Sequence, residues 1–198
     1  LNPIFVSPSN HKYDTQDYDY IDPHYGVIVE DGGDVLAADD RENAHATKYI
    51  KRVVNMKNLE ASNAFFAKFV EEVHRRGMKV ILDGVFNHCG SFNKWLDREK
   101  IYDKDESYEK GAFLQEDSPY HDFFYFYPDG SWPDNTHYDS WWGNDTLPKL
   151  NYEGSERLER YIHGVARKWV ASPYCIDGWR LDVAADLGHT LEYNHKFW

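Results

Sequence analysis

Asp177-Gly178-Trp179-Arg180-Leu181-Asp182-Val183 is the stretch on which the fold turns. Side chains alternate along an extended strand, so Gly178, Arg180 and Asp182 share one face while Trp179, Leu181 and Val183 share the other. The apolar face predicts a helix packed over it. One is signalled upstream from about Ser155, where Leu158, Ile162, Val165 and Trp169 recur on one side until the chain approaches Pro173. A second strand, Lys79 to Phe86, carries consecutive Val80, Ile81 and Leu82, as expected of a strand buried on both faces. Before it, Ser62 can cap a helix with Phe66, Phe69, Val70 and Val73 on its inner face. Glu71 with Arg75 and Glu72 with Arg76 form i,i+4 pairs outside, and Gly77 can end that helix. Ile4-Phe5-Val6 reads as the end of another buried strand, and Leu191 to Trp198 as the start of a further helix. Strands alternating with helices in this order predict an α/β fold built of βαβ units on a parallel sheet.

Three regions follow. Residues 1–88 hold strand, loop, helix and strand, the loop being the polar and irregular stretch 11–60, with Gly32-Gly33 and an acidic run from Glu30 to Asp40. Residues 89–150 lack sustained periodicity and are rich in Tyr, Trp, Phe, Asp and Gly. That is too long for a structureless loop, so an inserted subdomain is expected there. Residues 151–198 supply helix, strand and helix. The chain opens on Leu1 inside a strand-like element, as if cut from something longer.

The 198 residues are 41% hydrophobic, enough to fill a core, and carry a formal net charge of −12. That charge argues against nucleic acid or an anionic membrane as partner and suits a neutral polar ligand. Aromatic residues reach 17%, with 15 Tyr and 7 Trp; flat rings suit pyranose C–H faces, although most such rings serve as core. Cys89 and Cys175 fall at opposite ends of predicted strands, too far apart to bridge, and free thiols favour a reducing, cytoplasmic compartment. No signal-peptide pattern and no apolar run long enough to cross a bilayer occurs.

The chemistry sits at strand ends. Arg180 is costly on an inward face unless carboxylates pair with it, and a carboxylate beside it stays ionised. An ionised, oriented Asp182 at the C-terminal end of a barrel strand is what a retaining glycosidase needs as nucleophile; a structural ion pair fits the segment equally well. The strand from Lys79 continues into Asp83, Asn87 and His88, with Asp83 a candidate partner for Arg180. Taken singly, His88 reads as a satisfied structural histidine or as a donor to a sugar hydroxyl. Two strands delivering polar clusters at the same end favour a site. No glycine-rich phosphate loop follows either strand, which leaves little room for a nucleotide fold.

Four segments carry a family resemblance. Leu82-Asp83-Gly84-Val85-Phe86-Asn87-His88 resembles the first signature of the alpha-amylase family, and Gly178-Trp179-Arg180-Leu181-Asp182 its second. Asn10-His11-Lys12-Tyr13-Asp14-Thr15 is similar to the segment that supplies a tyrosine stacked on the sugar at the cleavage point. Leu147-Pro148-Lys149-Leu150-Asn151 resembles the motif of the neopullulanase, cyclomaltodextrinase and maltogenic amylase branch. The resemblance implies part of a (β/α)8 TIM barrel, about its second to fourth βα units, with an inserted subdomain after the third strand. It implies a retaining glycoside hydrolase acting on α-linked glucans: maltooligosaccharides, cyclodextrins, pullulan or starch.

Carried over by residue, Asp182 becomes the nucleophile, Arg180 its positioning partner, and Asp83 a supporting residue. Tyr13 stacks on the sugar that His88 binds. No cofactor is implied. The position of Asn87 ligates a structural calcium in many members but usually not in this branch, so no metal site is expected. Ala185-Asp186 stand where the branch carries Asn-Glu. The family's acid/base glutamate lies on the next strand, beyond Trp198, while Glu153, Glu156 and Glu159 read as helix N-terminal charges. The 198 residues alone are therefore expected to be inactive. Their open strand edges and apolar helix faces predict either self-association, as in a homo-oligomer, or a need for the missing half of the barrel. The competing expectation is a non-catalytic relative that keeps the barrel for carbohydrate binding or assembly.

Overall fold

The computed structural model describes residues 1–198. Strand β3 (Ile81–Gly84) pairs in parallel with β4 (Gly178–Leu181), in the register Ile81 to Gly178, Leu82 to Trp179, Asp83 to Arg180 and Gly84 to Leu181. Helix α3 (Glu156–Val170) lies between these strands in sequence, so this pair is the βαβ unit that the alternation in 177–183 predicts. The Ser155 hydroxyl caps α3 by accepting from the Leu158 amide, and Leu158, Ile162, Val165 and Trp169 are all buried. The strand ends one residue before Asp182, whose amide still continues the ladder by donating to Gly84 O at 3.0 Å.

The stretch 11–60 is more ordered than expected. Strand β1 (Phe5–Val6) forms an antiparallel pair with β2 (Asp17–Ile21), and helix α1 (Thr47–Val54) precedes α2 (Met56–Arg75). The β2 segment, Asp-Tyr-Asp-Tyr-Ile, hides from a hydrophobic reading because its inward side chain at Asp17 is a carboxylate. Lys94 meets it at 2.8 Å, and Asp19 at 3.2 Å. The cap of helix α2 lies seven residues before the expected one. Asn55 is the true N-cap, its side chain accepting from the Lys57 and Asn58 amides. Ser62 sits inside the helix instead, its hydroxyl donating to Val27 O and accepting from Val27 N, both at 3.1 Å. The outer charges also differ from a simple i,i+4 ladder: Glu72 takes both Arg75 and Arg76.

Residues 89–150 contain only short 3-10 turns at His121–Phe123 and Trp141–Gly143, plus isolated bridges. Their buried side chains, among them Trp95, Phe113, Phe123 and Leu150, join Phe5, Leu82, Phe86 and Trp169 in one apolar core. Burying each large side chain of this kind is worth about 1.5–3 kcal/mol. Two buried tyrosines fix the chain beyond β3. Tyr18 donates to Val85 O (2.9 Å) and His88 O (2.7 Å), and Tyr152 donates to Phe86 O. These bonds satisfy carbonyls that have left the ladder, and so hold Asn87 and His88 at the strand mouth. Helix α4 (Leu191–Phe197) closes the described chain.

Candidate active site

The register of β3 against β4 sets Asp83 beside Arg180 on the same face. Arg180 Nη1 lies 2.8 Å from Asp83 Oδ1, 3.1 Å from Asp83 Oδ2 and 2.6 Å from Asp182 Oδ1. One guanidinium nitrogen thus spans the two carboxylates, using its two diverging hydrogens. The hydrogen bond to Asp83, then that to Asp182, drives the Arg180 pKa upward, so the cation is permanent. Arg180 itself is half exposed, whereas the carboxylates of Asp83 and Asp182 are largely covered.

Tyr13 reaches the same cluster from the loop after β1. Its hydroxyl donates to Asp83 Oδ2 at 2.9 Å, and that bond, with partial burial, raises the phenol pKa. The loop is stapled beneath it: Lys12 donates to Ser7 O and Asp22 Oδ2, both at 2.7 Å, and Ser7 and Ser9 both donate to Asp14.

His88 is buried, and both ring nitrogens are engaged. Nε2 lies 3.2 Å from Tyr13 O and Nδ1 3.0 Å from Asn87 Nδ2. A carbonyl can only accept, so Nε2 carries the proton and Nδ1 accepts from the Asn87 amide. Desolvation lowers its pKa to about 4, which keeps the ring neutral. The indole of Trp141 stacks on it, with centroids 5.1 Å apart and planes at 16°. The structure therefore brings Tyr13, Asp83, His88, Arg180 and Asp182 to one strand mouth, with His88 already spending its hydrogen bonds inside the protein.

Two participants had no role in the sequence reading, Lys149 entering it only as part of the Leu147–Asn151 motif. Trp141 donates from Nε1 to Asp186 Oδ2 at 3.2 Å, linking the His88 ring to the turn after β4. Lys149 donates to Asn87 Oδ1 at 2.7 Å, to Leu187 O at 3.2 Å and to Asp186 O. The antiparallel bridge of His88 to Lys149 would have exposed both, but a pairing across sixty residues leaves no periodic trace. With an ammonium already on Asn87 Oδ1 and two neighbouring carbonyls, this donor set does not fit a calcium ion, which would need those oxygens and no cation among them. The carboxylates of α3 and of the turn before it lie elsewhere: Glu153 accepts from the His189 amide, Glu156 pairs with Arg160, and Glu159 accepts from Tyr193.

Backbone strain gathers here. Of seven non-glycine residues with positive φ, Lys12 precedes Tyr13, Trp142 follows Trp141, and Val183 (φ 40°) follows Asp182. A β-branched residue in that region persists only when its surroundings hold it there, a pattern common at working sites.

A parallel strand pair that gathers charged side chains at its C-terminal mouth is the arrangement found at the working end of βα-barrels. Comparison carries this further. Residues 60–196 match the family model described as alpha amylase, catalytic domain. The chain is 34% identical over 192 residues to the intracellular maltogenic amylase of Bacillus subtilis (strain 168), covering 96% of this chain and 24% of that protein. It is 35% identical over 201 residues to a cyclomaltodextrinase of Geobacillus thermopakistaniensis, covering 100% of this chain and 24% of that one. Among solved structures it resembles the type III pullulan hydrolase from Thermococcus kodakarensis, with TM-score 0.59, 28% identity, and 99% and 26% coverage of the two chains. The alpha-amylase from H. orenii superposes with TM-score 0.64 at 25% identity, covering 100% of this chain and 33% of the other. The chain belongs to the alpha-amylase family, as a segment of its (β/α)8 catalytic barrel, and spans about a quarter of the length of the curated relatives it matches.

Proposed function

We propose that the protein to which these residues belong is a retaining glycoside hydrolase of α-linked glucans, and that Asp182 is its nucleophile. The observation that carries this is Arg180 Nη1 seated between Asp83 and Asp182 at the mouth of two parallel strands. Arg180 positions Asp182 through the 2.6 Å bond to Oδ1 and leaves its second oxygen for the substrate. Asp182 attacks the anomeric carbon, and a second carboxyl group protonates the leaving oxygen. Asp83 is held by Tyr13 and Arg180 and serves as support. The second carboxyl comes from outside residues 1–198, so these residues alone are inactive. Tyr13 stacks on the sugar, and His88 turns its Nε2–H from Tyr13 O to a sugar hydroxyl. The barrel units represented are the second to fourth, with 89–150 as the insertion after the third strand. The names of the relatives point to maltodextrins, cyclomaltodextrins or pullulan as substrate and to a cytoplasmic setting.

The test is hydrolysis of maltoheptaose, β-cyclodextrin and pullulan by the complete protein, with the anomer of the first product followed by NMR. Release of the α-anomer is expected. Release of the β-anomer, or no turnover of any of the three, would overturn the assignment, and sugar binding without turnover would favour a non-catalytic relative.

A further inference from the structure

Trp142 is the most exposed large apolar side chain of the protein, at 83%. Its exposure is not that of a slack loop. Its backbone is held in the left-handed region at φ 54°, ψ 32°, a conformation that costs a non-glycine residue energy. The turn around it is bolted down. Trp141 N donates to Leu147 O at 2.9 Å, and Asn144 N donates to Trp141 O at 3.1 Å. The following strand-like segment is stitched to the chain beyond β3 by Cys89 N to Pro148 O and Ser91 N to Thr146 O, both 3.0 Å. A rigid turn thus spends strain to hold an indole in water.

Its neighbour explains where that indole points. Trp141 stacks on His88 and donates to Asp186, and the Trp142 ring stands 6.1 Å from it at 50°. Trp142 is therefore the outer member of a row of rings that starts at the His88 side of the site. Within 140–148 no other large apolar side chain is exposed. An exposed flat ring offers a stacking face. It suits a ligand that offers one C–H face and a polar rim. The carboxylate of Asp186 nearby and the net charge of −12 disfavour an anionic ligand.

We propose that Trp142 is a stacking platform for a further pyranose ring of the glucan, outside the unit held at Tyr13 and His88. This rests on the reading of the site given under Proposed function, and it makes Trp142 a determinant of preferred substrate length.

The experiment compares Trp142→Ala and Trp142→Tyr in the complete protein on maltotriose and maltoheptaose. In Trp142→Ala the ratio of kcat/KM for maltoheptaose to that for maltotriose should fall about fivefold to tenfold, a stacking-sized loss. In Trp142→Tyr, which keeps a flat ring, the ratio should stay within about twofold of wild type. Iodide quenching of tryptophan emission supplies a second readout. Wild type should have a quenchable component that maltoheptaose protects and that is missing from Trp142→Tyr. An unchanged ratio in Trp142→Ala overturns the proposal. So does a Trp142 that iodide cannot reach in the complete protein, since another segment would then cover it. If wild type turns over neither sugar, the hydrolase assignment fails, while protection of Trp142 by maltoheptaose still decides whether the platform exists.

Discussion

The Tyr13 hydroxyl donates to Asp83 Oδ2 at 2.9 Å across 70 residues of sequence, and the same oxygen lies 3.1 Å from Arg180 Nη1. One carboxylate oxygen therefore joins the loop after β1 to the mouth of β4. From it a chain of hydrogen bonds runs both ways: through Arg180 to Asp182, and through Tyr13, His88 and Asn87 to Lys149. Lys149 closes the circuit on the carbonyls of Asp186 and Leu187, just past Asp182.

Replacing Arg180 by Lys should be nearly as damaging as replacing it by Ala. Arg180 Nη1 meets Asp83 and Asp182 at once, and the shorter lysine side chain holds its ammonium nitrogen back from that point between the two carboxylates. Losses of about a hundredfold or more in kcat/KM on maltoheptaose are expected for the complete protein, equivalent to about 2.7 kcal/mol. Near-normal turnover by Arg180→Lys would show that the pairing is not needed.

His88 should make stability depend on mild acid. Its folded pKa is about 4 against an ordinary 6.5. Above pH 6.5 the ring is neutral in both states and its share of stability is full. Between those values the unfolded chain takes up a proton that the buried ring refuses, so stability falls as pH drops through that window, by up to about 2–3 kcal/mol. Denaturant unfolding of wild type and His88→Gln at about pH 7 and about pH 4.5, on either side of the ordinary 6.5, checks this. The variant should lose less on acidification by about 2 kcal/mol. Equal losses would mean that the proton is taken up elsewhere.

Lys149→Met keeps the aliphatic stem and removes the ammonium. Asn87 Oδ1 and the carbonyls of Asp186 and Leu187 then lose a shared donor in a half-buried place. A cost of about 1–3 kcal/mol is expected, read as a lower denaturation midpoint with an unchanged slope. A midpoint equal to wild type would mean that water replaces the ammonium without loss.

What the sequence made legible follows from physical period. Helix α3 shows itself through Leu158, Ile162, Val165 and Trp169 because one face is buried and the other wet. The Arg180 and Asp182 pair shows itself through the two-residue alternation of a strand. Strand β2 stayed hidden because its inward Asp17 is neutralised by Lys94, a partner 77 residues away. The early start of α2 was missed because Ser62 looks like a cap when its hydroxyl in fact serves Val27. The contacts of Trp141 and of Lys149, the latter noted only within its motif, were out of reach for the same reason as β2. Their roles depend on an antiparallel bridge between distant segments, not on any local pattern.

Asp182→Ala offers the sharpest test of the covalent step. Removing the carboxylate deletes the atom proposed to bond to the anomeric carbon and leaves a small hole at the mouth of β4, where Arg180 Nη1 loses its 2.6 Å partner but keeps Asp83. Hydrolysis by the complete protein should fall by several powers of ten, since covalent catalysis is lost altogether. Azide is small enough to enter such a hole and is a good nucleophile. With an α-glucosyl fluoride as donor, it should attack the anomeric carbon from the face that Asp182 occupied. The C–F bond breaks as the C–N bond forms, fluoride leaves, and the product is the β-glucosyl azide. An acid catalyst is not needed for fluoride departure, so this rescue reads the nucleophile alone. A β-glucosyl azide from Asp182→Ala, absent from the wild-type reaction, is the expected product. If azide neither restores turnover nor yields that anomer, while the variant remains folded and still binds maltoheptaose, another residue forms the covalent bond and Asp182 is confined to holding Arg180.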